Sequence, residues 1–149
     1  MAAASVAFWA ACGGGQTYNL TGSGTVTGTF NGVSLNAGDA VSNLVSQSGG
    51  SAGAILITTS TAQCNLINNH QALKNGQALA LELGTQSGNT VSAPTLGTHT
   101  VFTSGGIVGQ NGKVGIAQYV ATNASCSGNV LEAVSGTITL TRVEATGYG

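Results

Sequence analysis

Charge is what this chain has least of. Its 149 residues include three basic side chains, Lys74, Lys113 and Arg142, and four acidic ones, Asp39, Glu82, Glu132 and Glu144. Charged residues make up 5% of the sequence, against about a quarter in ordinary soluble domains. Three scattered cations cannot neutralise a run of phosphates, so nucleic-acid binding is excluded. A basic patch for an anionic membrane surface is excluded for the same reason. Calcium needs several oxygen ligands, usually clustered acids, and Asp39 stands alone. Aromatics are 5%, and Trp9, Tyr18, Tyr119 and Tyr148 form no spaced stripe for stacking a sugar. No two of the three cysteines have C-x-x-C spacing, and neither His70 nor His99 is placed to complete a zinc site. No metal or other cofactor is implied. The apolar run at residues 1–12 is too short to cross a bilayer, which takes about 20 residues.

What the chain does have is a repeated grammar. In Val134 to Val143, VSGTITLTRV, Val134, Ile138 and Leu140 share one parity, and Thr137, Thr139 and Thr141 share the other. A strand sends alternate side chains to opposite faces, so this stretch has one apolar face and one hydroxyl face. Similar Thr/Val runs recur between turns rich in Gly, Ser and Asn, and Gly alone accounts for 24 residues. The 42% apolar content and the β-branched alternation argue against disorder. With so little charge, the wet surface must be made of hydroxyls and amides. Such surfaces are commoner on exported β proteins than on cytosolic enzymes.

Taken in order, Thr25 to Phe30 alternates and is followed by Asn31-Gly32, the strongest two-residue hairpin signal. Val33 and Leu35 continue as the returning strand, and Asp39 to Ser46 reads as another. Ala54 to Ile57 is apolar at four successive positions, which suits a central strand covered on both faces. Between Ser60 and Leu73, apolar residues recur at helical spacing, with Ser60 and Gln63 as a capping box and Gly76 as a C-terminal cap; one short helix is expected near 61–73. In Gln77 to Leu83 the leucines at 79, 81 and 83 point inward, and Ala78, Ala80 and Glu82 outward. Gly84 to Ala93 reads as a loop, Leu96 to Phe102 as a strand, Ser104 to Gly112 as a loop or turn, Val114 to Val120 as a strand, and Asn123 to Asn129 as a polar loop. The pattern predicts an all-β fold: an antiparallel β-sandwich or flattened barrel of about eight strands, with Lys113 and Arg142 as the few charges able to blunt an open edge. Gly22 to Phe30 echoes Ser135 to Val143, which suggests sheet partners without establishing a repeat.

Residues 1–16 read as a separate segment, and 17–149 as the β domain. Ala10 and Ala11 before Cys12 match a bacterial lipobox, after which the Cys becomes the lipidated N-terminus and Gly13 to Gln16 a tether. No basic residue precedes the apolar run, and Trp9 stands where Leu is usual. With Cys12 lipidated, Cys64 and Cys126 remain, and an oxidising compartment favours their pairing. The bridge would close a loop of about 60 residues and stabilise by about 4 kcal/mol. Two separate buried thiols are the alternative.

One enzyme pattern occurs. Gly49-Gly50-Ser51-Ala52-Gly53 fits G-x-S-x-G, and Glu82 and His99 follow in the chain order of α/β serine hydrolases. A nucleophile elbow needs a strand before the Ser and a helix after it, whereas here a polar loop precedes and a strand follows. Glu82 and Glu132 form the other conceivable pair, as the two carboxylates of a glycosidase. Chance Gly-Ser patterns in a chain with 24 glycines are the plainer account of the first, and solvated surface charges of the second.

Gln63-Cys64-Asn65, the ALALEL strand, the Pro-Thr-x-Gly turn into Thr98 to Phe102, then Cys126 and SGTITLTRV together resemble uncharacterised bacterial lipoproteins. The resemblance covers roughly residues 20–143. It implies a small, exported, all-β protein at the cell surface or in the periplasm, anchored or secreted. It also implies a further G-x-F-x-x-x-F strand with a terminal Cys, hence a C-terminal truncation and another partner for Cys64 or Cys126. No activity comes with it. The leading expectation is a non-enzymatic domain, lipid-anchored through Cys12, acting on an unknown protein or surface partner. The second is a fibre or surface-layer subunit assembling by strand addition. A hydrolase using Ser51, Glu82 and His99 comes last.

Overall fold

The computed structural model describes residues 27–30, 33–36, 39–47, 50–60, 66, 69 and 71–142. Among these the chain is all β, with ten strands: β1 (Thr27–Phe30), β2 (Val33–Asn36), β3 (Asp39–Gln47), β4 (Gly50–Thr58), β5 (Gln77–Ser87), β6 (Thr90–Ser92), β7 (Gly97–Val101), β8 (Gly112–Thr122), β9 (Gly128–Glu132) and β10 (Gly136–Leu140). β1 and β2 form a two-stranded hairpin, in which Phe30 pairs with Val33 across Asn31-Gly32. The other eight strands make one sheet in the order β10-β7-β8-β5-β6-β4-β3, with β4 also pairing β5 directly and β9 pairing β8. It curls into a half-barrel.

The expected all-β fold is the one observed, in its barrel-like alternative, and two details differ from expectation. The sheet is mixed rather than purely antiparallel, because β7 runs parallel to β8 at Thr100 and Val101, and β6 meets β4 through one parallel bridge, Gly50 with Val91. The described strands also do not divide into the two stacked sheets of a sandwich; the barrel-like alternative is the one adopted, left open. The two echoing segments are not sheet partners: β1 pairs with β2, and β10 with β7. The helix expected near 61–73 falls mostly outside the described residues. Among the described ones Leu66 is helical, and its carbonyl accepts from Gln71 N–H at 2.7 Å, whereas Gln71 to Leu73 is not helical.

β5 is the spine. It pairs with β4 from Ala78 to Leu83 and with β8 along its length, Gln77 with Ala121 through Gln86 with Gly112. Its period-2 pattern gives two faces, and both are covered. On one, Ile57, Leu79, Val101 and Ala117 are buried together, with Ile55, Leu81 and Ile138 packed against them. On the other, Leu56, Ala78 and Val120 form a smaller cluster under Leu73. Ala78 is therefore buried rather than outward-facing, because the segment before β5 folds back and lays Leu73 over it. Full burial of one such aliphatic side chain stabilises by about 1.5–3 kcal/mol.

Gly115 lets this core close. A Cβ there would lie 2.7 Å from Leu83 Cδ2, so the missing side chain makes room for Leu83. The expected loop at 84–93 is shorter than its composition suggests. β5 continues to Ser87, turns at Gly88-Asn89 with Gly88 at φ 58°, and returns as β6. That backbone region suits Gly, which lacks a Cβ.

Within β10 the predicted alternation holds, but Val134, expected on the apolar face, precedes the strand and is 78% exposed. Thr137 and Thr139 are exposed, while Ile138 and Leu140 are half-buried. The Thr139 hydroxyl lies 3.1 Å from that of Thr98 on the neighbouring strand.

Candidate functional site

The sheet is interrupted along one side of β8. There the first half of β8 pairs with β7 at Val114 and Gly115, and the second half pairs with β9 from Gln118 to Thr122. β7 is in turn covered by β10, whereas no described strand pairs with the far side of β9. The outcome is a notch one strand wide beside β9, in line with β10.

The polarity of that notch follows from the hydrogen bonds at both ends of the β8–β9 ladder. Asn123 N–H donates to the Ser127 carbonyl at 2.9 Å, and Ala133 N–H donates to the Ala117 carbonyl at 2.9 Å. Antiparallel pairs alternate between hydrogen-bonded and non-hydrogen-bonded. Counting inward from either end, Asn129 and Leu131 direct their backbone groups at β8. Gly128, Val130 and Glu132 therefore direct theirs into the notch. β3 ends the sheet on its other side.

Exposed apolar side chains gather at this edge. Val130 is 50% exposed, Leu131 43% and Val134 78%. The strand's sole charge is spoken for, since Glu132 Oε1 accepts a hydrogen bond from Ser104 N–H at 2.8 Å. The turn leading into β9 is rigidly built: Asn123 Oδ1 accepts from Ser125 N–H at 2.9 Å and from Ser127 N–H at 3.1 Å. A shallow, open cleft of about 420 Å³ lies alongside, lined by Ala121, Thr122, Asn123, Ser127, Gly128 and Asn129.

The residues singled out in the sequence fare differently. Ser51 sits within β4, without the strand–turn–helix of a nucleophile elbow. β5 and β8 separate its strand from β7, which carries His99; three strand spacings come to about 14 Å along the sheet. His99 is fully buried, and its Nδ1–H donates to the Gly97 carbonyl at 3.2 Å, while Nε2 has no partner. Glu82 is on the opposite face from Leu81 and Leu83, between Ala54 of β4 and Ile116 of β8, and burial raises its carboxyl above the ordinary 4.5. Ser51, Glu82 and His99 are thus not brought together.

Glu82 and Glu132 do share a face. They stand two strands and two residues apart, about 12 Å between α carbons, and Glu132 is engaged by Ser104. Among the described residues no three His, Cys, Asp or Glu side chains converge on one point.

Cys126 carries a free thiol at φ 61° in the turn before β9. Its expected partner Cys64 lies outside the described residues, as do Cys12, His70 and Glu144. Lys113 does not blunt an edge: it is on β8, inside the sheet, and its Nζ reaches the Leu96 carbonyl. Arg142 lies two residues beyond the end of β10.

Sequence reasoning passed over β9 itself. Gly128–Glu132 holds two adjacent apolar residues, too few for alternation to register. The useful signal was the pairing of a Gly/Ser/Asn turn with a β-branched residue just after it. No family model, curated protein or solved structure matches this chain.

Proposed function

We propose that this chain is an exported, non-enzymatic β domain, lipid-anchored through Cys12, that holds a partner by accepting a strand at the open side of its sheet. The observation that carries this reading is the notch beside β9, with outward backbone groups at Gly128, Val130 and Glu132 and exposed Val130, Leu131 and Val134 around it. Such an edge is a template for another extended segment. A surface low in charge and rich in hydroxyls, the lipobox-like Ala10-Ala11-Cys12, and the resemblance to exported lipoproteins support the location.

Expression in a bacterial host tests both parts. The mature N-terminus should be a diacylated Cys12, and Cys12→Ser should abolish the lipid mass and release the protein from membranes. Partners bound from host envelope extract should be lost from Val130→Lys and kept by Thr29→Ser, a change on the separate β1–β2 hairpin. An unmodified Met1 on the native protein, or a partner set indifferent to Val130→Lys, would count against the proposal.

A further inference from the structure

We infer that the strand received beside β9 is the β9 of a second copy, paired antiparallel about a two-fold axis at Val130. This inference rests on the strand-addition reading above and names its partner. Three observations carry it.

The first is register. Gly128, Val130 and Glu132 present their backbone groups outward and are spaced symmetrically about Val130. Turned through 180°, the strand matches itself: Val130 exchanges two hydrogen bonds with Val130 of the copy, and Gly128 exchanges two with Glu132 of the copy at each end. Every outward donor then meets an acceptor.

The second is the side chains this register brings together. Each Val130 is 50% exposed, and the two would meet as a β-branched pair across the axis. Glu132, the strand's charge, would face Gly128 and not another Glu132, so no like charges oppose one another. The chain's net charge of −1 adds little long-range repulsion between copies.

The third is length. β10 lies one strand further out and begins at Gly136, where an incoming strand would end. The notch therefore has about the length of one β9. A second β9 fills it and brings its own β8–β9 turn up to Val134, which is 78% exposed. Both half-barrels would join into one continuous sheet, with β8 and β9 of each copy on either side of the axis.

Static light scattering on the full chain, from about 1 µM to about 1 mM, tests this. The mass should rise to twice the monomer value with concentration, and exchange at the Gly128, Val130 and Glu132 amides should slow in parallel. Val130→Pro removes an outward N–H and leaves the β8–β9 ladder intact, so dimerisation should weaken by at least about tenfold. Val130→Lys keeps that N–H but sets two cations face to face, and it should give the same loss even if the proline variant misfolds. Thr137→Lys on β10 should leave the dimer unchanged.

A wild-type chain that stays monomeric throughout overturns the inference while leaving strand addition to other partners, which the envelope-extract experiment tests separately. A dimer that survives both Val130 variants, or that only Thr137→Lys dissociates, overturns it as well.

Discussion

Leu83 and Gly115 are coupled by shape, and a double-mutant cycle measures how strongly. Leu83 is 1% exposed, and its Cδ2 lies 2.7 Å from where a Gly115 Cβ would sit. Leu83→Ala removes three buried carbons and leaves a hole over Gly115, at a cost of about 3–4 kcal/mol. Gly115→Ala alone drives a methyl against Leu83 and to 3.3 Å from the Glu82 carbonyl oxygen. Overpacking costs about 1–3 kcal/mol, offset by about 0.5–1 kcal/mol because Ala loses less chain freedom than Gly. In the double variant the new methyl enters the space Leu83 has left. The total should then fall at least about 1 kcal/mol short of the sum of the single changes. Urea unfolding followed by circular dichroism gives each value, provided the slope m is constant across the four proteins. Additivity within about 0.5 kcal/mol would refute the packing argument, because it would mean that Leu83 does not occupy the Gly115 space.

The Glu82 carboxyl is raised in the folded protein by burial, so the folded state holds its proton to higher pH than the unfolded chain does. Stability from this group is therefore highest at low pH and declines as pH rises from about the ordinary 4.5 through the raised value. Glu82→Gln should flatten that decline and stabilise the protein at neutral pH; a stability profile identical to wild type between pH 4 and about 7 contradicts the burial argument. Asn123→Ala deprives the Ser125 and Ser127 N–H groups of their acceptor and should cost about 1–2 kcal/mol by urea unfolding, less than full loss of two bonds because water reaches the turn. A change under about 0.3 kcal/mol would show that the Asn123 side chain does not organise the entry to β9.

Period-2 patterning made most of the strands legible before any coordinates. Ile138 and Leu140 turn inward and Thr137 and Thr139 outward, and the apolar run at 54–57 is a central strand buried at Ala54, Leu56 and Ile57. Patterning does not carry pairing, however. β7 and β8 are neighbours in sequence yet run parallel, with the hydrogen-bonded Thr103–Gln110 turn between them. Ala78 read as solvent-facing because alanine is indifferent to burial; Leu73, from outside the strand, decides its fate. The notch was invisible for a similar reason. An open edge is a property of which strands fail to meet, and β9 contributes only Val130 and Leu131 to any local pattern. In the same way G-x-S-x-G marked a sequence coincidence within β4, since a Gly-rich strand produces it without an elbow.

The account stands on β9 being paired on one side and open on the other. Residue-resolved amide exchange, measured on dilute protein, reads this directly. The Asn129, Leu131 and Ala133 amides, directed at β8, should exchange slowly, and those of Gly128, Val130 and Glu132 should exchange far faster, alternating along a single strand. Equal protection of Val130 and Leu131 at the lowest concentration would mean that the edge is already covered within one chain, and would contradict the account.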